Sequence, residues 1–322
     1  MAGGAPHGAP GEGERGVADP DLRKLRVLRE LGERGTVSAA ARALHLTPQA
    51  VSQQIGSLAR ELGVPLTEPS GRRLRLTGAA RIVLRHAEAV FAQVEQMRAE
   101  LAAHRSGEHG EVAVAGFSTT LSALVLPAVA RLRETRPLLR TSLAEVDPPE
   151  SFALLHRGET DVVISADTAR HPGPAGDDAR FHRVPLCEDP FDVALPEGHR
   201  LLASPRLLLA DLAEETWIFA TTGLCHDIGV AACTAAGFTP RASHAIGDWD
   251  ATLAAVRLGL GVALVPRMAG PAPRPEVTVR AFTERAPSRT VFAAVREGSQ
   301  TSPEIVAVLD ALRAVAGAAV TA

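Results

Sequence analysis

Tyrosine is absent from the 322 residues, and the aromatic share is only 3%. The heavy use of alanine, arginine, glycine and proline beside that absence has the stamp of nucleotide-composition bias, and no function follows from it. Cysteine is also scarce. Cys187, Cys225 and Cys233 cannot all pair within one chain, and their spacing is not a repeated metal-ligand pattern. A disulfide scaffold and a structural zinc site are therefore excluded, and idle thiols in a reducing compartment are the default. No apolar run reaches about 18 residues, so no transmembrane helix is expected. The first 20 residues are rich in Gly, Pro and Ala and lack the apolar core of a signal peptide, which predicts a disordered tail. Together these absences lead to the expectation of a cytoplasmic protein. No catalytic set stands out either. There is no supported Ser/His/Asp or Cys/His group, no metal spacing and no phosphate loop, and His45, His156 and His226 are isolated. The expectation is that the chain is not an enzyme and takes no cofactor.

What is present is enough chain for two or three domains, with 46% hydrophobic residues to fold them. The net charge of −3 hides an asymmetry. Residues 21–107 hold 14 Lys/Arg against 8 Asp/Glu, whereas residues 108–322 hold 19 against 26 and contain no lysine. A basic N-terminal part on an acidic body suits a polyanion-binding head; chance scatter of surface charge would look the same.

Helical periodicity begins at Leu22 and runs through Leu25, Leu28 and Leu31, with Gly32 and Gly35 expected to stop it. Ser38 is the expected cap of a second, short helix built on Ala39, Ala40, Ala41 and Ala43. His45 and Leu46 form a turn. Thr47 then offers a hydroxyl N-cap, and Pro48 falls at the first helical position, where its missing N–H costs nothing. Val51, Ile55, Leu58 and Leu62 make one apolar stripe, and Gly63 ends the helix. The opposite face starts with Gln49, Ser52 and Gln53, short polar groups of the kind that read base edges in the major groove. A solvated face on an ordinary three-helix domain would also carry them. The next stretch, residues 66–76, reads as a β-hairpin with Arg72, Arg73 and Arg75 on its tip and return strand. A basic hairpin after a helix-turn-helix is a wing, placed to meet phosphates or the minor groove.

Over some 60 residues, order and spacing resemble the LysR-type transcriptional regulators. The resemblance runs through Ser38–Leu44, Leu46–Ile55, Leu62–Leu66 and Arg72–Thr77. It implies that residues matching Pro48, Gln49, Ser52 and Gln53 face double-stranded DNA. Departures occur at Thr67, where the family often has Phe, at Pro69, where it often has Arg, and at Ala59, usually an acid. Gln53 stands where Arg is frequent, which bears on sequence preference.

Thr77 caps a further helix to about Arg105. Ala80, Leu84, Ala87, Phe91, Val94, Arg98 and Leu101 alternate steps of four and three, a heptad seam with one polar interruption. A buried core helix could show the same pattern; the resemblance implies a linker helix that pairs two chains, and tetramers built as dimers of dimers. Leu84, Ala87, Phe91, Val94 and Leu101 are the expected dimerisation residues. Such a two-fold dimer would bind inverted-repeat half-sites.

Beyond a polar break at 104–110, strands and helices alternate in a βαβαβ order, which implies a parallel sheet. Residues 166–180 form a Pro/Gly/Asp-rich loop. Phe181–Leu195 is expected to give two strands and to open a second lobe, and the strands near Val277–Phe282 and Arg289–Val295, with a last helix, are expected to return to the first. Gly110–Gly116, Leu126-Pro127, Arg136-Pro137, Gly158–Asp161 and Gly259–Pro266 resemble landmarks of the LysR-type effector domain, which has the two-lobed α/β architecture of periplasmic-type solute receptors. The expected organisation is thus an α+β multi-domain chain. Its parts are a tail (1–20), a winged helix-turn-helix (21–77), a linker helix (78–106) and an effector domain (108–322), with lobe 1 at about 110–180 and 270–322 and lobe 2 at about 181–269.

Ligands in such folds sit between lobes at the carboxyl ends of strands. Ser118, Thr119 and Thr120 follow the first strand, and Thr221 and Thr222 end a strand of the second lobe. Hydroxyls at a helix start suit an anionic small-molecule effector; ordinary capping would place them there too. His226 is a candidate cation nearby. A thiol-redox regulator using Cys225 and Cys233 is the alternative, since the pair is similar to the two-cysteine region of the family's peroxide sensors with one residue fewer between them. On one helix, eight residues apart, they would lie about 12 Å from each other, whereas a disulfide needs Cα atoms within about 7 Å.

Overall fold

The computed structural model describes residues 20–70, 73–104, 110–168, 178–270, 276–284 and 286–321. Most of the expected tail, Gly71 and Arg72 of the wing tip, the polar break and much of the 166–180 loop lie outside the described residues. The chain divides into two compact units, Met1–Phe91 and Ala92–Ala322.

The first unit is helical with one hairpin. Helices α1 (Leu22–Arg34), α2 (Val37–Ala43) and α3 (Pro48–Leu62) are followed by β1 (Thr67–Ser70) and β2 (Arg73–Leu76), which pair antiparallel. The long α4 (Gly78–His104) comes next. The α1 helix passes through Gly32 and stops only at Gly35, whose φ of 68° is the left-handed cap conformation that Gly63 repeats after α3. Nor does Ser38 cap α2: the cap lies two residues earlier, where Thr36 accepts the Ala39 N–H at 3.2 Å. Thr77 caps α4 by accepting the Ala80 N–H at 3.1 Å. Leu28, Ala40, Val51, Leu58 and Leu66 are fully buried in one core, which Ala80, Ala87 and Phe91 complete. Each large apolar side chain so buried contributes about 1.5–3 kcal/mol.

The second unit opens with the second half of α4, from Ala92, and continues with β3 (Gly110–Gly116). A helix then starts at Ser118 as α5 (Ser118–Thr120), passes through a π-turn at Leu121–Val125 and continues as α6 (Leu126–Thr135). Next come β4 (Leu139–Glu145), α7 (Glu150–Arg157), β5 (Val162–Asp167) and β6 (Phe181–Pro196). Then follow β7 (Thr216–Phe219), α8 (Leu224–Ala235), β8 (Arg241–Ala245), α9 (Trp249–Arg257), β9 (Ala263–Pro266), β10 (Val277–Arg280), β11 (Ser288–Arg296) and α10 (Pro303–Thr321). Strands β4, β3 and β5 are parallel neighbours, as the alternation predicts, and β11 and then β6 add antiparallel to β5. One face of this sheet packs Val112, Val114, Ile164 and Val291 with residues of α6 and α10; the other packs Phe292 and Ala294 with Phe152 of α7.

Two strand expectations are corrected. Phe181–Pro196 is a single strand, not two, and it belongs to both lobes. Its first half pairs with β11; its second half is flanked by β9 and β10. Consequently β10 does not return to the first lobe but edges the second. Only β11 and α10 return. In the second lobe, β7 pairs parallel with β8 and touches the β9 segment through Trp217 and Val262. No helix among the described residues is long and apolar enough to cross a membrane.

Candidate functional site

The sequence marked two sites, one on each unit. In the N-terminal unit, the turn between α2 and α3 closes at His45, which takes a left-handed φ of 53°. Leu46 N–H returns to Ala41 O at 2.8 Å. Thr47 Oγ1 then accepts the Ala50 N–H at 3.1 Å and Pro48 occupies the first helical position, as expected. Burial of Val51, Ile55 and Leu58 fixes the rotation of α3, so that Thr47, Pro48, Gln49, Ser52 and Gln53 are all exposed. Gly56 and Arg60 continue the same exposed stripe at i+3, i+4 spacing. In the hairpin, Arg73 and Arg75 lie on β2. Arg75 Nε donates to Glu68 Oε1 across the strands at 3.1 Å. Both side chains are exposed, a pairing worth about 0–1 kcal/mol that an incoming phosphate can displace.

In the second unit, a cavity of about 620 Å³ opens between the lobes. It lies where parallel strands end: Phe117 and Ser118 after β3, Glu145 and Asp147 at the end of β4, Thr221 and Thr222 after β7, and Gly247 and Trp249 after β8. The two hydroxyl-bearing turns thus share one cavity. Ser118, Thr221 and Thr222 are exposed to it and Thr119 is buried beside it. Thr120 is different. Its hydroxyl donates back to Phe117 O at 2.8 Å, it is fully buried, and it is not among the residues lining the cavity.

The cavity's cation is Arg289, which the sequence reading missed. His226 does not serve: its ring stands edge-on to Phe219, its Nδ1 lies 3.1 Å from Asp227 Oδ1, and it is not in the lining. Arg289 is only 2% exposed, as is Asp189, its cross-strand partner on β6. Its Nε donates to Asp189 Oδ2 at 2.9 Å, and one terminal nitrogen lies 2.7 Å from the same oxygen. That nitrogen also donates to Thr119 Oγ1 at 2.9 Å, and the other reaches Cys225 Sγ at 3.3 Å. The guanidinium sits over the Phe117 ring, 4.8 Å from its centroid. The remaining Asp189 oxygen accepts the Met268 N–H at 2.9 Å. A buried charge pair survives because every polar atom around it has a partner. The missed signal was periodic: Arg289 shares the inward register with Val291, Ala293 and Val295 on β11, and a lone charge there requires a buried partner.

Residues 105–317 match the LysR substrate binding domain, and residues 22–81 match the bacterial regulatory helix-turn-helix of the lysR family. The chain belongs to the LysR family of transcription regulators. A probable hydrogen peroxide-inducible genes activator of Mycobacterium avium is 29% identical over 285 residues, covering 87% of this chain and 89% of its own. The dual regulator OxyR of Escherichia coli is 27% identical, covering 91% and 95%. Among solved structures, full-length OxyR of Pseudomonas aeruginosa superposes with a TM-score of 0.62 at 23% identity, covering 92% of this chain and 98% of its own. The regulator CbnR in complex with its target DNA superposes at 0.54 and 22%, covering 92% and 99%. These last two likenesses speak to the fold.

Within this LysR-type regulator the cysteines stand apart. Both Cys225 and Cys233 are on α8, eight positions apart. Cys225 lines the cavity and Cys233 lies in the second lobe's core. Burial pushes both thiols up, that of Cys233 to about 12; at Cys225 the Arg289 charge opposes the effect of burial.

On α4 the expected dimerisation residues divide. Ala87 and Phe91 are buried in the regulator's own N-terminal core and Leu84 packs against it, so these three are not a free seam. Arg29 sits over the Phe91 ring at 4.4 Å. Val94 is half-buried and Leu101 is 57% exposed. Among the described residues, the large apolar side chains that α4 exposes are Ile82 (52%), Val90 (43%), Met97 (52%) and Leu101. At about 100° per residue these four fall within an arc of about 100°, on a face that flanks the one carrying Ala80, Ala87 and Phe91. That stripe is what a partner helix would cover. Val90→Glu with Met97→Glu should therefore shift sedimentation toward monomer without lowering the melting temperature of dilute protein. Phe91→Glu should instead unfold the head, through loss of a large buried side chain (about 3–5 kcal/mol).

Proposed function

We propose that this regulator reads an inverted-repeat DNA site under the control of a small polar effector held between the lobes of residues 108–322. In this reading Thr47, Pro48, Gln49, Ser52 and Gln53 meet the major groove, and Arg72, Arg73 and Arg75 meet phosphate or the minor groove. One observation carries the DNA-reading half. The capped start of α3 and its whole polar stripe are exposed, while the opposite stripe is locked into the core. Backbone N–H groups and short polar side chains at a helix start are what a major-groove reader offers. For the effector half, the support is the cavity at the strand ends, with Ser118, Thr119, Thr221 and Thr222 around it. Thr120, whose hydroxyl turns back to Phe117 O, is left out of this reading. The acidic group of the effector would meet the Ser118 hydroxyl and the free N–H groups at the start of α8. Regulation rather than catalysis, work in the cytoplasm where the chromosome lies, and assembly as a dimer of dimers through α4 complete the proposal.

Binding to a selected operator tests the first half. Gln53→Ala should cost about 1–3 kcal/mol and relax preference at one position. Arg72→Ala should weaken binding to all sequences and lower the salt slope by about 1. An unchanged preferred sequence and affinity in Gln53→Ala would remove that residue from the reading head.

A second reading, peroxide sensing through Cys225, is favoured by one contact, that of its sulfur with the Arg289 guanidinium. The M. avium and E. coli relatives give it context. Burial works against it by holding the thiol protonated, and the thiolate is the reactive form. A Cys225–Cys233 bridge would also require α8 to unravel. Titration of the native protein before and after a stoichiometric peroxide pulse should therefore find the same number of free thiols. Loss of two thiols, with Cys225 and Cys233 linked in one peptide, would move the assignment to redox control.

A further inference from the structure

We infer that the effector is a zwitterion of the amino-acid type, carrying a primary ammonium as well as an acidic group. The inference rests on the reading of the interlobe cavity as the effector site, and it follows from the charges around that cavity. Among the described lining residues Arg289 is the only Lys or Arg, and its charge is already matched by Asp189 at 2.7 Å. Three carboxylates line the same space: Glu145, Asp147 and Asp227. The side chains of Glu145 and Asp147 make no hydrogen bond or ion pair among the described residues, and both are exposed. Asp227 has one partner, His226, on the side away from the lining.

A purely anionic molecule would therefore enter a cavity with a net negative lining, against repulsion from three fixed charges. A purely cationic one would leave the opposite features unused. These are the free Ser118 hydroxyl and the start of α8, where Gly223 supplies no capping side chain. One molecule with both charges answers both sets. Its acidic group sits against Ser118 and the α8 start, and its ammonium faces Asp147, Glu145 and Asp227. The half-buried Trp249 supplies an aromatic wall beside the carboxylates, a surface that also accepts an ammonium. A volume of about 620 Å³ leaves room for a side chain as well. The family's fold does not dictate this charge pattern; the carboxylates of this chain do.

The test is a thermal-shift and calorimetric screen of the full-length protein. Its probes are the twenty α-amino acids and, for each, the matching acid without the amine and the matching amine without the acid. At least one amino acid should bind, with both truncated forms weaker by about tenfold or more, the loss expected for a hydrogen bond to a charged group. The Asp147→Asn/Asp227→Asn double variant should weaken that amino acid by about tenfold and leave the melting temperature of the free protein unchanged. If a deaminated acid binds as tightly as its parent, and Ser118→Ala weakens it, the cavity reading stands and the zwitterion is wrong. Failure of every amino acid to bind likewise overturns the inference. If hits of any kind bind Ser118→Trp, in which the cavity is filled, as tightly as the parent, the cavity reading falls with it.

Discussion

Asp189 and Arg289 face each other across β6 and β11, and neither could be buried alone. An isolated charge in that position would be prohibitively costly to desolvate. Paired, they let one guanidinium gather groups from both lobes: Thr119 at the helix start of the first lobe and Cys225 at the helix start of the second. The cavity lies between those two helix starts. Its shape therefore depends on a single ionic joint more than on any one apolar contact. The joint also bears on the cavity's electrostatics, since it matches the guanidinium charge and leaves Glu145 and Asp147 without a partner among the described residues.

The strand that carries Arg289 has a second end. Arg296, seven residues on, donates to Thr160 O at 2.7 Å, to Leu155 O at 3.2 Å and to Asp161 Oδ1 at 2.9 Å. Its Nε also reaches Glu95 of α4 at 3.3 Å. Just beyond, Gly298 at φ +93° lies so close to α4 that a Cβ there would stand 2.2 Å from Ala92 O. Within this unit, β11 thus has the cavity at one end and the middle of the linker helix, around Ala92, Glu95 and Gln96, at the other.

Much of the head was legible in the sequence because its signals are local. A threonine before Pro48, an apolar stripe at helical spacing and a polar stripe opposite it define α3 without reference to any other element. Caps were less legible: Thr36 and Ser38 are both competent hydroxyls, and only the backbone chose between them. The linker helix shows the limit of periodicity. Phe91 satisfies a heptad, but a heptad cannot say whether the covering surface belongs to the same chain, and here α1 covers it. The exposed stripe of Ile82, Val90, Met97 and Leu101 is interrupted by charges, so it did not stand out. In the effector domain, alternation gave the elements, yet β6 was divided in two because its continuity depends on partners about 100 residues away. The two turns around the cavity were legible as strand ends followed by hydroxyls. Arg289, Asp189 and the rim carboxylates were not, because their meaning lies in long-range pairing that spacing along the chain does not encode.

The dependence of the domain on the Arg289–Asp189 joint is open to one direct measurement: urea unfolding of the full-length protein in a double-mutant cycle of Arg289→Met and Asp189→Leu. Each single variant leaves an uncompensated buried charge and should lose about 3–5 kcal/mol. The double variant removes both charges and should be more stable than either single one, with strong coupling between the sites. Additive losses, or single variants within about 0.5 kcal/mol of the parent, would contradict the account, because they would mean that the two side chains are neither dry nor mutually dependent.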